Sequence, residues 1–276
     1  MTTLHDIVKH LEALAPRDYT LLGQEGYVEV GPSIRSEQTK TTINRVVVTT
    51  YPSSKAVAKA SQEKANLLIS YRPMFKKSIR QISGLDLVRI RLLAKNYISS
   101  YVVGSAWISA KDGLTDALVD ALNLRQTSNF NIQGPHSTLV PIGRFCELPS
   151  IMNHSGFANY IASKLEIPSV TFTGRLDDDA SQVLVCAGFS LTEDMLLQSL
   201  KENVKTVVSG EISPEVRFGA YEYGMNIYEL GAFHTEKPGM MRLRHQLSLE
   251  YPELKIEFVE TESITQSLKP YTKNMA

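Results

Sequence analysis

VVVTTYPSSKAVAKASQEKANLLIS, residues 46–70, is the stretch on which the fold turns. Val46, Val47 and Val48 form a β-branched run, Pro52, Ser53 and Ser54 offer a turn and a helix cap, and the Ala- and Lys-rich segment Lys55–Lys64 is helical by propensity. Asn66 then leads into a second apolar run, Leu67-Leu68-Ile69. The order is strand, helix, strand. Downstream the step repeats, with a helix rich in Ile, Leu and Val (Leu87–Lys95) and a third apolar run (Tyr97–Val103) ending at Gly104. A helix from Gly113 carries Leu114, Ala117, Leu118, Ala121 and Leu122 on one face and Thr115, Asp116 and Asp120 on the other. Upstream, Asp6, Ile7, Leu11 and Leu14 read as a helix stopped by Pro16, followed by an irregular, glycine-punctuated stretch from Leu22 to Pro32.

The second half replays this plan. Val183-Leu184-Val185 matches the triple-valine run, Thr192 caps a helix with Glu193 and Asp194 in its first turn, and Val207-Val208 is the next strand. The segment from Glu222 through Tyr228 to Gly231 then answers Lys95–Gly104. The match is one of pattern rather than identity, and it suggests an internal duplication. Between the halves lie a polar, nearly uncharged stretch (Gln126–Pro141) and an amphipathic helix with Phe157, Tyr160, Ile161 and Leu165. A helix from Pro238 and a strand, Ile256–Val259, close the chain. The expected architecture is α/β, with two similar strand-helix-strand lobes and mostly parallel mixed sheets. The expected divisions are residues 1–125, a connector at 126–180, and residues 181–276, forming one compact unit.

Composition removes whole classes of function. The 276 residues include 29 Lys plus Arg against 29 Asp plus Glu, so no global field attracts nucleic acid or anionic lipid. The hydrophobic fraction of 43% is too high for a disordered chain. Two cysteines, Cys146 and Cys186, are too few for a disulfide framework and too far apart for a zinc ribbon or finger. Interruptions by Ser, Asn and Gly break the longest uncharged stretch, Lys95 to Lys111, short of a membrane span. Nor does the start of the chain, with His5, Asp6 and Lys9, resemble a signal peptide. A soluble cytoplasmic protein is expected, without membrane or nucleic-acid partners.

In parallel α/β sheets ligands sit beyond the carboxyl ends of the strands. Of the loops that fall there, Gly231 to Gly239 is the richest. His234 and Glu236, two apart, suit metal ligation or acid–base work, while Thr235 and Glu236 equally suit the cap of a helix starting near Pro238. Caps are the commoner case. Arg72, directly after an apolar strand, must be hydrated or paired, either with a phosphate or carboxylate ligand or with a carboxylate of the protein. Neither G-x-G-x-x-G nor G-x-x-x-x-G-K follows any strand. Lys76, Lys77 and Arg80 read as a solvated basic face, Cys186 as a core residue, and His136 and His154 lack ligand-like spacing. Asp177, Asp178 and Asp179 read as an acidic turn rather than a calcium loop.

Four motifs in the right order resemble the Nif-three-like proteins, also called the GTP cyclohydrolase 1 type 2 family, over nearly the whole chain. The family's D-N-V-G-L-Q-V-G-D looks like Glu25-Gly26-Tyr27-Val28-Glu29-Val30-Gly31, and its A-N-L-I-I-S-H-H-P like Ala65 through Ser70-Tyr71-Arg72-Pro73. Its G-R-x-G-E-L-P looks like Gly143-Arg144-Phe145-Cys146-Glu147-Leu148-Pro149, and its G-H-x-x-T-E like Gly231 through Glu236. The resemblance implies an α/β toroidal hexamer with a dinuclear metal centre in each subunit. This sequence departs at nearly every ligand position. Tyr71 and Arg72 replace the two adjacent His, and Ala232 replaces the His of the last motif. Gly104 and Ile108 stand for the His and Asp of S-A-H-T-N-L-D, with Ser105 between them. Only Glu236 matches a ligand. One carboxylate cannot hold two divalent cations, so the expectation is a degenerate site in which Arg72 pairs with Glu236 in place of metal. That makes the chain a non-catalytic oligomeric binding or scaffold protein, without a cofactor and with an anionic small molecule at Arg72. The alternative is a hydrolase of a nucleotide or related phosphorylated substrate, using Zn, Mn, Fe or Mg. There His234 and Glu236 would be acid and base, and Arg72 a phosphate clamp.

Overall fold

The computed structural model describes residues 1–20, 26–32, 41–75, 79–134, 137–176, 178–188 and 191–260. The readings placed on Glu25, Lys76, Lys77, His136 and Asp177 lie outside the described residues.

The first half opens with α1 (Leu4–Leu14), held by a capping box between Thr3 and Asp6. Then come β1 (Tyr27–Val30), β2 (Arg45–Thr49), α2 (Ser54–Gln62), β3 (Leu67–Ser70), α3 (Gly84–Lys95), β4 (Ser99–Val102), α4 (Ala106–Ser109) and α5 (Leu114–Ala121). A hairpin of β5 (Arg125–Gln133) and β6 (Leu139–Asn153) crosses to the second half. That half has α6 (His154–Leu165), β7 (Thr171–Thr173), β8 (Asp179–Cys186), α7 (Glu193–Lys201), β9 (Thr206–Ser209), α8 (Pro214–Glu222), β10 (Asn226–Glu229), α9 (Ala232–Glu250) and β11 (Lys255–Phe258).

These strands form two sheets, ordered β1-β4-β3-β2-β11 and β5-β6-β8-β9-β10-β7. In each, three parallel strands come from one β-α-β-α-β run, and an earlier strand, β1 or β7, caps the last of them antiparallel. The repeat seen in sequence is therefore a repeat of topology. The parallel strands are uniformly apolar because both of their faces are covered, and β2, β3 and β9 are buried almost throughout.

Each half lends a strand to the other. β6 pairs with β8, and β11, the last strand, pairs in parallel with β2 of the first sheet. The sheets therefore do not follow divisions at 125 and 180: the connector supplies three strands of the second sheet, β5, β6 and β7, and the terminal strand belongs to the first. At the centre α5 packs on α9 so closely that a Cβ on Gly239 would stand 2.4 Å from Leu114 Cδ2 and 2.6 Å from its Cα.

The polar stretch Gln126–Pro141 holds most of β5 and the start of β6, and β5 carries no strand signal in the sequence because, as an edge strand with only Phe130 buried, it lacks apolar alternation. Two local expectations are corrected. Thr115 lies on the buried side of α5, donating to the Ile142 carbonyl at 3.2 Å. The last helix starts at Ala232, so Pro238 is inside it rather than at its first turn. Gly231, at φ +79°, sets that start, and its N–H is held by the Gly210 carbonyl at 2.8 Å. Among the described residues no helix is long and apolar enough to cross a membrane.

Candidate functional site

The carboxyl ends of both sheets converge on one place. Beyond β3, the Tyr71 and Arg72 N–H groups bond the Thr49 and Thr50 carbonyls at 3.4 and 3.0 Å, which carries the ladder two residues past the strand. The next turn is tied down by Glu29 of β1, whose carboxylate accepts from Met74 N and Phe75 N at 3.0 and 2.9 Å. Arg72 thus leaves a fixed backbone. From the other lobe, Thr235 Oγ1 accepts from the Gly188 N–H at the end of β8 (3.1 Å) and lies within bonding distance of the Gly231 and Ala232 carbonyls. That contact sets the rotation of α9 and turns the next side chain, Glu236, inward.

Arg72 and Glu236 meet face to face. Nε of Arg72 donates to both carboxylate oxygens at 3.0 Å, and Nη2 donates to Oε1 at 2.6 Å. Glu236 is 1% exposed, whereas the Arg72 side chain keeps 28% of its surface. Burial pushes the Glu236 carboxyl above its usual range, and the bond and charge of Arg72 draw it back. Burial also works against the Arg72 charge, but Glu236 more than offsets it, and the guanidinium stays ionised. The Tyr71 hydroxyl and Glu236 Oε1 both flank Gly188, each 3.6 Å from where a Cβ would stand. Burial, then the charge of Glu236, raises the Tyr71 phenol, so it remains a neutral donor. Glu211, beyond β9, accepts from the Ala232 N–H at 3.4 Å and adds its charge to the site. The immediate ionic group is one guanidinium with two carboxylates.

The structure thus unites Tyr71, Arg72, Thr235, Glu236 and the backbone of Ala232. It separates others. Ile108, in α4, is buried in the hydrophobic core, and Ser105 caps that short helix, its carbonyl accepting from Ile108 N at 3.0 Å. His234, two residues from Glu236, points to the opposite side of α9 and lines a groove of about 770 Å³ with Lys237, Met241 and Lys164. Burial and the Lys237 charge lower its pKa. His234 and Glu236 are therefore not an acid–base pair acting on one substrate atom. Nor are Thr235 and Glu236 helix caps; both are buried within the helix. Sequence reasoning missed Gly188, which no chemical motif marks, and the anchoring role of Glu29, although Glu29 stands inside the first family-like motif.

The remaining candidates are structural. Arg144, nearly buried, donates from Nε to Asp116 at 2.5 Å and from Nη1 to the Pro141 and Gly143 carbonyls, fastening β6 to α5. His154 is wholly buried at the start of α6, its Nδ1 2.7 Å from the Tyr228 hydroxyl, while Nε2 has no partner. Cys146 and Cys186 are free and buried, with burial pushing both thiols up to about 12.

A dinuclear metal centre does not fit these side chains. Both oxygens of Glu236 are engaged by a cation already, and among the described residues no imidazole bonds to them. Among the described residues no three His, Cys, Asp or Glu side chains gather as a metal would require.

Comparison with known proteins agrees with this architecture. A sequence profile of the Duf34/NIF3 (NGG1p interacting factor 3) family matches residues 2–267. The chain is 23% identical over 258 residues to the GTP cyclohydrolase 1 type 2 homolog of Clostridium perfringens, covering 93% of this chain and 95% of the relative. It is 24% identical to the homolog of Methanocaldococcus jannaschii, over 88% and 93% of the two chains. Among solved structures it is similar to a Bacillus cereus protein related to NIF3, with TM-score 0.80, 16% identity and 99% of each chain covered. HcgD from Methanocaldococcus jannaschii gives TM-score 0.76 at 22% identity, over 93% and 97% of the chains. At such identities the solved structures speak for the fold.

Proposed function

The chain belongs to the Duf34/NIF3 family, and we propose that within it this protein is a metal-free, non-catalytic member whose former metal pocket has become an ionic clasp between the two lobes. The observation that carries this reading is the bidentate contact of Arg72 with Glu236. Arg72 rides on the first sheet and Glu236 on the helix that follows the second. The guanidinium neutralises a buried carboxylate where related chains would use divalent cations. Unlike bound metal, it is covalently part of the chain, so it cannot be removed by chelation and offers no open position for activating water. An anionic small molecule would have to approach through the Arg72 N–H groups that Glu236 leaves open, against the charge of Glu211. The protein acts instead as an oligomeric binding or scaffold protein.

Metal analysis of protein purified without chelator, combined with incubation with GTP and each of Zn, Mn, Fe and Mg, tests the reading. The expected result is substoichiometric metal and no turnover. One metal per chain that is lost in Glu236→Ala, or GTP turnover lost in the same variant, overturns it.

A further inference from the structure

Helices α3 and α8 occupy equivalent places in the two β-α-β-α-β runs, each linking the second parallel strand to the third, and each leaves one face uncovered. On α3, Leu85 (68% exposed), Val88, Arg91 and Lys95 fall within an arc of about 120° at 3.6 residues per turn. On α8, Glu215, Phe218 (73% exposed), Tyr221 and Glu222 fall within an arc of the same width. The buried residues of the two helices, Arg89 and Leu93 on one, Val216, Gly219 and Ala220 on the other, lie outside these arcs. Both faces are therefore apolar stripes edged by charge, but of opposite sign. Among the described residues Arg91, Lys95, Glu215 and Glu222 make no ion pair, whereas Arg89 and Arg217, which could have altered the balance, are paired with Asp86 and Glu229.

We propose that α3 of one copy of this chain docks on α8 of a second copy, with Leu85 and Val88 against Phe218 and Tyr221, and Arg91 and Lys95 facing Glu215 and Glu222. The inference rests on the oligomeric part of the reading above and is independent of its metal-free part. A second copy is the partner because the complement of each face, in width, apolar character and charge, is present on the same molecule. Neither face suits itself, since like charges would be brought together. Every copy offers one α3 and one α8, so the contact is either reciprocated within a two-fold dimer or propagated head to tail into a closed ring or an open filament.

Light scattering across a wide range of concentration tests this with three variants whose folding is checked by circular dichroism. These are Arg91→Glu/Lys95→Glu, Glu215→Lys/Glu222→Lys, and all four changes together. The wild type is expected to assemble, each double variant to weaken assembly by at least about tenfold, and the combined variant, with the signs exchanged, to regain it. Phe218→Ser, which removes apolar surface without altering charge, is expected to weaken the same step. An oligomeric wild type whose double variants and Phe218→Ser assemble equally well sinks the contact while leaving the oligomer standing. A monomeric wild type sinks both.

Discussion

Arg72→Ala is the most informative single change, because it strands Glu236. That carboxylate is 1% exposed and cannot be rehydrated in place, whereas the guanidinium opposite is more than a quarter exposed. Removing one partner of a buried ion pair costs about 3–5 kcal/mol, and partial access of water at the Arg72 side puts the expected loss near the lower end, about 3 kcal/mol. For a chain of this size each kcal/mol moves Tm by about 2–4 °C, so a fall of about 6–12 °C follows. Glu236→Gln should cost less, about 1–2 kcal/mol, since the guanidinium left behind can turn to water and still donate to the amide oxygen. The pH dependence has a definite sign. Without Arg72, burial raises the Glu236 carboxyl further above its unfolded value, so between the two values the folded state holds a proton that the unfolded state lacks. Stability then falls as pH rises through that window, and Arg72→Ala should be closer to wild type at about pH 5 than at about pH 8. Urea titrations followed by circular dichroism at both pH values read this directly. A variant within about 0.5 kcal/mol of wild type, or one harmed more by acid than by base, refutes the argument that the clasp holds a buried charge.

Two further outcomes follow from the packing. Gly239→Ala should destabilise by about 1–3 kcal/mol, because the new methyl meets Leu114 at 2.4 Å across the α5–α9 contact and outweighs the better helix propensity of alanine; Gly219→Ala, whose methyl would meet only the Glu193 side chain at 3.4–3.6 Å, should be neutral or stabilising in the same thermal melt. His154 is held neutral by burial, with its pKa lowered, so the unfolded chain takes up a proton first as pH falls below about 6.5 and stability declines with acidification; this slope should shrink in His154→Gln and persist in a control lacking exposed His5.

What could be read from sequence follows from how local its cause is. Val46–Val48, Leu67–Ile69, Val183–Val185 and Val207–Val208 announced themselves because strands covered on both faces are apolar at every position. Ser53 and Thr192 capped the helices expected of them, since a cap is a contact across three residues. The Arg72–Glu236 contact was legible only through the family motifs, as the partners stand 164 positions apart. Glu211 and Gly188 join that site because β9 and β8 end beside it, a fact of sheet order with no local signature. The start of α9 was misplaced because proline favours the first turn of a helix, and here the glycine turn at Gly231 put the boundary six residues earlier, at Ala232. His234 and Glu236 looked like partners because they are near in sequence, but two residues along a helix point in opposing directions.

The exchange of strands between halves also bears on how the protein is made. On the ribosome β2 appears early, yet one of its two neighbours is β11, the last strand of the described chain. Until Lys255–Phe258 emerges, the Arg45–Thr49 strand has a bare row of amides and carbonyls on one side, a template for any other nascent chain. The half synthesised first is consequently the half completed last. A message truncated before residue 255 would damage the amino-terminal sheet, at a distance from the codon that was lost.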